Sequence, residues 1–170
     1  MNTQDKVAYL DNFEAHYQYD ARYLRDLLTT NEAAFDKFNA FMPLSTHRDS
    51  LTVEAFWVAK LAAMRAEDCG GCVQLNVRMA LEGGVDKNIV SSVLDAGAGL
   101  PEVLKLVYDF ATSVARNEPL DENIQAEVDS HFSQKEKIEM GLCVAAARVF
   151  PTLKRAAGYS KSCQLVQVEV

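Results

Sequence analysis

The sequence predicts an all-α protein, a compact bundle of about eight helices that forms a single domain over residues 1–170. Apolar residues recur every three or four positions through most of the chain, which places them on one face of a helix. Residues that cap or end helices, such as Ser, Thr, Gly and Pro, separate these stretches. With 170 residues, of which 49% are apolar, the chain is long enough to bury a full hydrophobic core.

The N-terminal part of the chain is predicted to form three helices. Residues 5–29 form the first, and residues 32–41 form a shorter one that stops near Pro43, because proline breaks a helix interior. Ser50 or Thr52 caps the third, which ends near the cysteine segment. The apolar faces of the first and third helices consist of Val7, Leu10, Phe13, Tyr17, Ala21, Leu24 and Leu28, and of Val53, Phe56, Trp57, Leu61 and Met64.

Three further helices are predicted in the middle of the chain. Residues 70–82 form one that Gly83 and Gly84 end, since glycine readily adopts the left-handed conformation that closes a helix. A short helix then ends at Gly97, and Pro101 stands where the first residue of the next helix is expected. The apolar residues of these two helices are Val85, Ile89, Val93 and Leu94, and Val103, Leu104, Val107, Phe110, Ala111 and Val114.

The last part of the chain contains two predicted helices and a short extended tail. Ser133 caps a long helix, Pro151 starts or kinks its last turn, and Gly158 ends it. Residues 165–170 alternate apolar and polar side chains, as a strand does, and we expect this tail to be disordered or to dock on a neighbour. The helix before Ser133 is marked by Leu120, Ile124, Val128 and Phe132.

Charge and composition exclude several classes of partner. The net charge of −7 and the pI near 4.9 argue against nucleic acid and anionic membranes as partners. No run of about 18 apolar residues occurs, so no transmembrane helix is predicted. The first six residues lack the basic and apolar regions of a secretory signal, and a cytoplasmic location is expected.

The most informative residues are Cys69 and Cys72, in the motif Cys69-Gly70-Gly71-Cys72. Two thiols three residues apart can meet as a disulfide across one turn. If Cys72 lies in the first turn of a helix, the partial positive charge of the helix N-terminus stabilises its thiolate. The thiolate is the form that attacks peroxides, disulfides and metals. The motif therefore favours a redox dithiol.

The neighbouring carboxylates act in two opposing ways. The negative charges of Glu67 and Asp68 disfavour a thiolate nearby, whereas a carboxylate held at hydrogen-bond distance can act as a general base. Glu67 is therefore a candidate site residue, although capping and solvation are the more ordinary roles of both acids.

Other uses of the cysteines have less support. A zinc site needs four ligands, and no second CxxC or HxxxH accompanies the motif, so no metal is expected. No cofactor is expected either, because no Gly-rich phosphate loop follows a strand. A purely structural role of the pair remains open. Cys143 is expected to be a small buried hydrophobe, and Cys163 is expected to be inert.

The order of elements around the motif suggests a family. A helix over residues 53–65 precedes the cysteines, a second helix closes at residues 80–85, and residues 132–138 lead into an apolar helix. In this arrangement the chain resembles the carboxymuconolactone decarboxylase family, and within it the alkylhydroperoxidase D-like proteins. The resemblance covers about residues 51–158.

The resemblance implies an all-helical subunit that assembles into dimers, trimers or hexamers, and a thiol-dependent oxidoreductase. By carry-over from the peroxidase members, Cys72 would attack a small hydroperoxide, and Cys69 would resolve the sulfenic acid as a disulfide. An external dithiol would reduce the pair again, and a disulfide is an alternative substrate. The decarboxylase branch of the family does not rely on this motif.

Two departures from the family pattern concern proton transfer. The family places a histidine four residues after the second cysteine, where this chain has Asn76, whose amide can orient a group but cannot take up a proton. It also places a glutamate where this chain has Trp57. Glu67, Glu54 or His131 are candidates to replace them, and weak peroxidase activity is expected.

Two alternatives from other classes remain. The missing histidine and glutamate favour a non-catalytic helical oligomer that acts as a binding or assembly module. A lyase or decarboxylase acting on a small cyclic carboxylic acid would need a cation for the carboxylate, and Lys60 or Arg78 are candidates, although a solvated surface charge is the more ordinary role of each.

Overall fold

The computed structural model describes residues 2–159 together with Val166 and Val168, and it confirms the all-α prediction for this part of the chain. None of the helices in the described part is long and apolar enough to cross a bilayer. The nine helices of these residues are α1 (Thr3–Tyr17), α2 (Arg22–Thr30), α3 (Glu32–Ser45), α4 (Val53–Ala66), α5 (Gly70–Glu82), α6 (Lys87–Leu94), α7 (Glu102–Arg116), α8 (Glu122–His131) and α9 (Gln134–Ala156).

Helix α4 is the centre of the larger of two hydrophobic clusters. Nine of its fourteen residues are buried, and it packs against α5, α6, α7 and α9. The smaller cluster joins α1, α2 and α3 through residues such as Leu10, Tyr23 and Phe35, and Leu75 of α5 and Leu153 of α9 pack against it. Helices α1–α3 therefore lie against the start of α5 and the end of α9.

The prediction of one helix over residues 5–29 is wrong. Helix α1 ends because Gln18 adopts the left-handed conformation with φ of 47°, and α2 begins only at Arg22. The backbone N–H of Gln18 donates to the carbonyl of Glu14, and the Glu14 carboxylate accepts the N–H of Ala21 at 2.9 Å. The break thus satisfies its own backbone groups without the glycine or proline that marks most helix ends.

The second helix begins at Glu32, as predicted, but it extends past the predicted end at residue 41 and continues through Pro43 to Ser45. A proline near the end of a helix removes only one of its last hydrogen bonds. The Ser45 hydroxyl donates to the carbonyl of Met42 at 2.8 Å and supports this final turn. Helix α9 likewise contains Pro151 and ends at Ala156.

Several predicted ends agree with the structure. Helix α5 covers residues 70–82, as predicted. Thr52, rather than Ser50, caps α4, because its hydroxyl accepts the N–H of Ala55. Ser133 caps α9 and forms a reciprocal capping box with Glu136.

Most of the tail predicted to be extended lies outside the described residues, as does Cys163. Of the alternating positions, Val166 and Val168 are described, and both pack against the larger hydrophobic cluster. Whether the remaining residues form a strand stays a prediction.

Candidate functional site

The cysteine motif forms the entrance to α5. Cys69 and Cys72 are joined as a disulfide with their Cα atoms 5.2 Å apart. Cys69 is the N-cap of α5 and Cys72 lies in its first turn, where the helix dipole favours negative charge. Asp68 adopts a left-handed conformation with φ of 50°, which turns the chain between α4 and α5.

The two sulphurs border different spaces. Cys72 is only 1% exposed and lines an apolar space of about 60 Å³, which we call the cavity. Cys69 is half-buried and lines a larger polar opening of about 720 Å³, which we call the cleft. Tyr19 and Leu75 border both spaces. The disulfide therefore forms part of the wall between an apolar interior and the protein surface.

The cavity lies between several helices. Its walls come from α1–α5, α9 and the turn between α1 and α2, most of its lining residues are apolar, and about half of them are buried. Tyr9 and Thr46, however, line the cavity and are exposed to solvent. The cavity therefore reaches the protein surface at these two residues, whereas Cys72 itself is buried.

The hydroxyl of Tyr19 lies beside the Cys72 sulphur. Its oxygen lies 3.9 Å from Cys72 Sγ and 3.5 Å from the hydroxyl oxygen of Tyr23. Burial raises the pKa of Tyr19 to about 12, so its phenol stays protonated at neutral pH. Towards a Cys72 thiolate, Tyr19 can therefore act only as a hydrogen-bond donor.

A lysine lies over these two phenol rings. The Nζ atom of Lys154, from α9, is 4.7 Å from the ring centroid of Tyr19 and 5.7 Å from that of Tyr23. Burial lowers the pKa of Lys154, while the nearby Asp20 acts in the opposite direction. Lys154 also lines the cleft, the opening that Cys69 borders.

Asn76 lies one turn after Cys72 and is buried in the cavity wall. Its Nδ2 atom donates to the backbone carbonyl of Cys72 at 2.8 Å. The amide thus holds the backbone that carries the thiol. This placement agrees with the orienting role expected from the sequence, which stays a prediction.

Glu67 lies on the other side of the disulfide, in the cleft. Its carboxylate accepts from Arg148 Nε at 2.7 Å and from Arg155 at 2.5 Å. Although burial raises the pKa of Glu67, the two arginines lower it more, and the net pKa is below its ordinary value. Of the four predicted site residues, the structure brings Cys72 and Asn76 together at the cavity and Cys69 and Glu67 at the cleft.

The cleft carries charges of both signs. Arg22, Arg78, Lys154 and Arg155 line it together with three acids. All three of its arginines are engaged: Arg22 pairs with Asp20, the Arg78 guanidinium donates to the backbone carbonyl of Tyr17, and Arg155 pairs with Glu67. The remaining acids of the cleft are Glu67 and Asp68.

Three other residues considered from the sequence lie away from both spaces. Glu54 and His131 line neither the cavity nor the cleft, and a ring nitrogen of His131 contacts the carbonyl oxygen of Glu127 at 2.9 Å. Trp57 packs against the larger hydrophobic cluster.

The buried role expected for Cys143 is confirmed, and burial raises the pKa of its thiol to about 12.

The environment of Lys60 differs most from the one expected from the sequence. It is 3% exposed and lines the cavity, so the expectation of a solvated surface charge is wrong for this residue. The sequence holds a signal for it, since Lys60 lies between Phe56 and Met64 at intervals of four on the apolar face of α4. Tyr19, Tyr23 and Lys154 carry no comparable signal.

Comparison of the chain with protein-family models, curated proteins and solved structures finds no match. The chemistry of the site is therefore argued from its own geometry. A disulfide is present, with one sulphur facing an apolar space, the other facing the surface, and a protonated phenol beside the buried sulphur.

Proposed function

We propose that this protein is a thiol-dependent oxidoreductase that reduces small hydroperoxides, or exchanges disulfides, through Cys69 and Cys72. The observation that carries the proposal is the position of the disulfide between the cavity and the cleft. In this proposal an apolar substrate approaches the buried Cys72 from the cavity, and a reductant at the surface approaches Cys69 from the cleft. A disulfide that served only to stabilise the fold would not require its two sulphurs to border different spaces.

In the oxidative step, the Cys72 thiolate attacks the outer oxygen of the hydroperoxide. The O–O bond breaks, sulphur gives up two electrons, and the alkoxide takes a proton and leaves as the alcohol. Cys72 becomes a sulfenic acid. The Cys69 thiol then attacks this sulphur, the S–S bond forms, and the hydroxide leaves with the Cys69 proton as water.

In the reductive step, an external dithiol attacks Cys69 from the cleft. Cys69 is the accessible sulphur, because Cys72 is buried. The attack forms a mixed disulfide with Cys69 and releases the Cys72 thiolate. The second thiol of the reductant then closes its own disulfide and frees Cys69, so that two electrons and two protons enter the protein.

Tyr19 takes part of the role that a proton relay plays in related chemistry. Its phenol stabilises the Cys72 thiolate by a hydrogen bond but cannot take up a proton at neutral pH. Asn76 lacks a titratable group, and Glu67 is bound by two arginines. We therefore propose a slow reaction, because general acid–base assistance often contributes ~100-fold or more.

We further propose that the chain is a divergent member of the carboxymuconolactone decarboxylase family, in its alkylhydroperoxidase D-like branch, and that it works as a cytoplasmic homo-oligomer. The all-α architecture and the motif at the start of α5 support this relationship. The absence of the family's histidine and glutamate, replaced by Asn76 and Trp57, counts as divergence.

Trapping of the sulfenic acid tests the proposed roles. The reduced full-length variants Cys69→Ser and Cys72→Ser are treated with tert-butyl hydroperoxide in the presence of dimedone, and the adducts are located by peptide mass spectrometry. Cys69→Ser should accumulate an adduct on Cys72, because no resolving thiol remains, whereas Cys72→Ser should form none at Cys69. If Cys69→Ser shows no adduct at millimolar peroxide, the proposal fails.

The burial of Cys72 favours one rival, a binding module in which the disulfide is incidental and has no redox role. Closing so short a loop removes little entropy from the unfolded chain, so the link contributes little to stability. Under this alternative, a Cys69→Ala/Cys72→Ala variant keeps its thermal midpoint and its oligomeric state, and peroxide leaves Cys72 of the reduced protein unchanged.

A further inference from the structure

Within residues 2–159, the buried Lys60 of the cavity wall has no counter-ion. The ammonium group of Lys60 donates to the backbone carbonyl of Ser45, and its Nζ atom lies 5.4 Å from the ring centroid of Phe56. No carboxylate of residues 2–159 forms an ion pair with it. The cation therefore has a neutral carbonyl and an aromatic face as its partners.

A second buried lysine provides the contrast. Lys6 is buried to a similar degree, but it forms ion pairs with both Glu32 and Asp36. A buried charge is costly unless an opposite charge accompanies it. Burial accordingly lowers the pKa of Lys60, whereas the partners of Lys6, chiefly Asp36, raise that of Lys6. Among the described residues, Lys60 therefore lacks the kind of acidic partner that Lys6 has.

The surroundings of Lys60 provide further hydrogen-bonding groups. Asn39, Ser45 and Thr46, at the end of α3, also line the cavity. The rest of the wall is mainly aromatic and aliphatic. An amphipathic molecule with one anionic end fits this distribution, since its charge meets Lys60 and its apolar part meets the remaining wall.

The cation and the thiol border the same space. Lys60 lies one turn before Met64 on α4, and Cys72 lies one turn before Asn76 on α5, and all four residues line the cavity. Since a water-sized group occupies about 10–15 Å³ by the same measure, the cavity admits on the order of five non-hydrogen atoms. The ligand is therefore a short acid rather than a long-chain lipid.

We propose that Lys60 binds the carboxylate of a short, otherwise apolar carboxylic acid in the cavity. If the proposed function holds, it follows that the preferred hydroperoxide or disulfide carries a carboxylate. This consequence, but not the binding itself, rests on the proposed function. Lys60 is a specificity-determining residue in this scheme, and the redox step itself belongs to Cys72 and Cys69.

Binding of butyrate and its neutral isostere butyramide tests the proposal. Both are titrated by NMR into the oxidised full-length protein, so that no turnover is needed. Butyrate should bind at least ~10-fold more tightly than butyramide, because a hydrogen bond to a charged group is stronger than a neutral one.

Lys60→Met, which keeps the length of the side chain, should lose this preference and keep the affinity for butyramide. Lys135→Met, at an exposed lysine outside the cavity, makes the same change in net charge and should leave the preference intact.

Three results would overturn the proposal: equal affinities for the two probes, no binding of either probe, or a butyrate preference that persists in Lys60→Met. The comparison of butyrate with butyramide on the unmodified chain decides the matter even if Lys60→Met does not fold. Oxidation of the reduced protein by uncharged tert-butyl hydroperoxide tests the redox step separately, so failure of either proposal is recognised on its own.

Discussion

At Cys72, burial and hydrogen bonding have opposite effects on the thiol. Burial disfavours the thiolate, whereas the start of α5 and the Tyr19 hydroxyl favour it. The negative charge of Glu67, which the sequence suggested would oppose the thiolate, is neutralised by Arg148 and Arg155. The stability of a Cys72 thiolate in the reduced protein therefore depends on how far the helix start and the Tyr19 hydroxyl offset the effect of burial.

Replacement of Tyr19 by phenylalanine tests this dependence. Tyr19→Phe should raise the pKa of the Cys72 thiol and slow its reaction with tert-butyl hydroperoxide about 10-fold, because one hydrogen bond to the thiolate is lost. The pKa is measured by alkylation across pH, and the rate by stopped flow. Tyr17→Phe is the matched control, since the Tyr17 hydroxyl bonds to Glu82 outside the cavity. An unchanged rate in Tyr19→Phe would exclude the phenol as a partner of the thiolate.

The sequence identifies the dithiol but not its partners. The motif and the helix that follows it are local features, so Cys69, Cys72 and Asn76 can be recognised from their spacing. Tyr19 reaches Cys72 from 53 positions away, through the packing of the turn between α1 and α2 on α5. Lys154 comes from the far end of α9. Contacts of this kind depend on tertiary packing, which periodicity does not encode.

At the scale of elements, helix ends were predictable where a specialised residue marks them. Helix α5 lies between the cysteine motif and Gly83, and α9 begins at a Ser133 capping box. The break at Gln18 was missed because a residue with a side chain adopts the left-handed conformation there. At this break the Glu14 carboxylate accepts the backbone N–H of Ala21, and such a contact is visible only in the folded chain.

Glu139 links α9 to the segment that leads into α4. The side chain is buried, and its carboxylate accepts the backbone N–H groups of Asp49 at 2.8 Å, Ser50 at 2.9 Å and Leu51 at 3.4 Å. Although burial raises the pKa of Glu139, these three hydrogen bonds lower it more. The ionised carboxylate thus positions the helix that carries Lys60.

Glu139→Gln should lower the free energy of unfolding by about 2 kcal/mol at neutral pH, because hydrogen bonds to a charged acceptor become neutral ones. The pKa of Glu139 is lower in the folded chain than in the unfolded chain, where it is about 4.3. The carboxylate therefore contributes its full stabilisation above about pH 4.3, and this contribution is lost as the pH falls through the pKa of the folded chain. Urea unfolding at neutral and acidic pH measures both effects. The variant should lose less stability in acid than the unmodified chain, whereas Glu127→Gln, at an exposed site, should behave like the unmodified chain. An equally steep acid dependence in Glu139→Gln would contradict the assignment.

At the scale of the whole molecule, helices α1–α3 complete the site. They form the smaller hydrophobic cluster and supply Tyr9, Phe13, Phe35 and Phe38 to the cavity wall. The resemblance seen in the sequence covers only residues 51–158 and gave no role to this region. The cavity exists because α1–α3 pack on α5 and α9, and no local pattern predicts that packing.

The outward face of α9 provides the basis for the proposed homo-oligomer. Ile138 is 55% exposed, and Leu142 and Val149 are also exposed on the same face of the helix. Exposed apolar side chains aligned in this way favour contact with a second copy.

Ile138→Glu combined with Leu142→Glu should convert the oligomer into a monomer, as measured by size-exclusion chromatography with light scattering. Val7→Glu, at an exposed position on α1, should leave the oligomer intact. A monomeric unmodified chain, or an oligomer that survives the double substitution, would remove this proposal.

Single-turnover oxidation of the reduced, full-length protein tests the central proposal most directly. One equivalent of tert-butyl hydroperoxide is added, and the thiols and the alcohol formed are quantified by mass spectrometry. We expect one alcohol per chain and a Cys69–Cys72 disulfide, with the buried thiol of Cys143 unchanged. If Cys69 and Cys72 remain thiols while the peroxide persists, the protein is not the oxidoreductase proposed here.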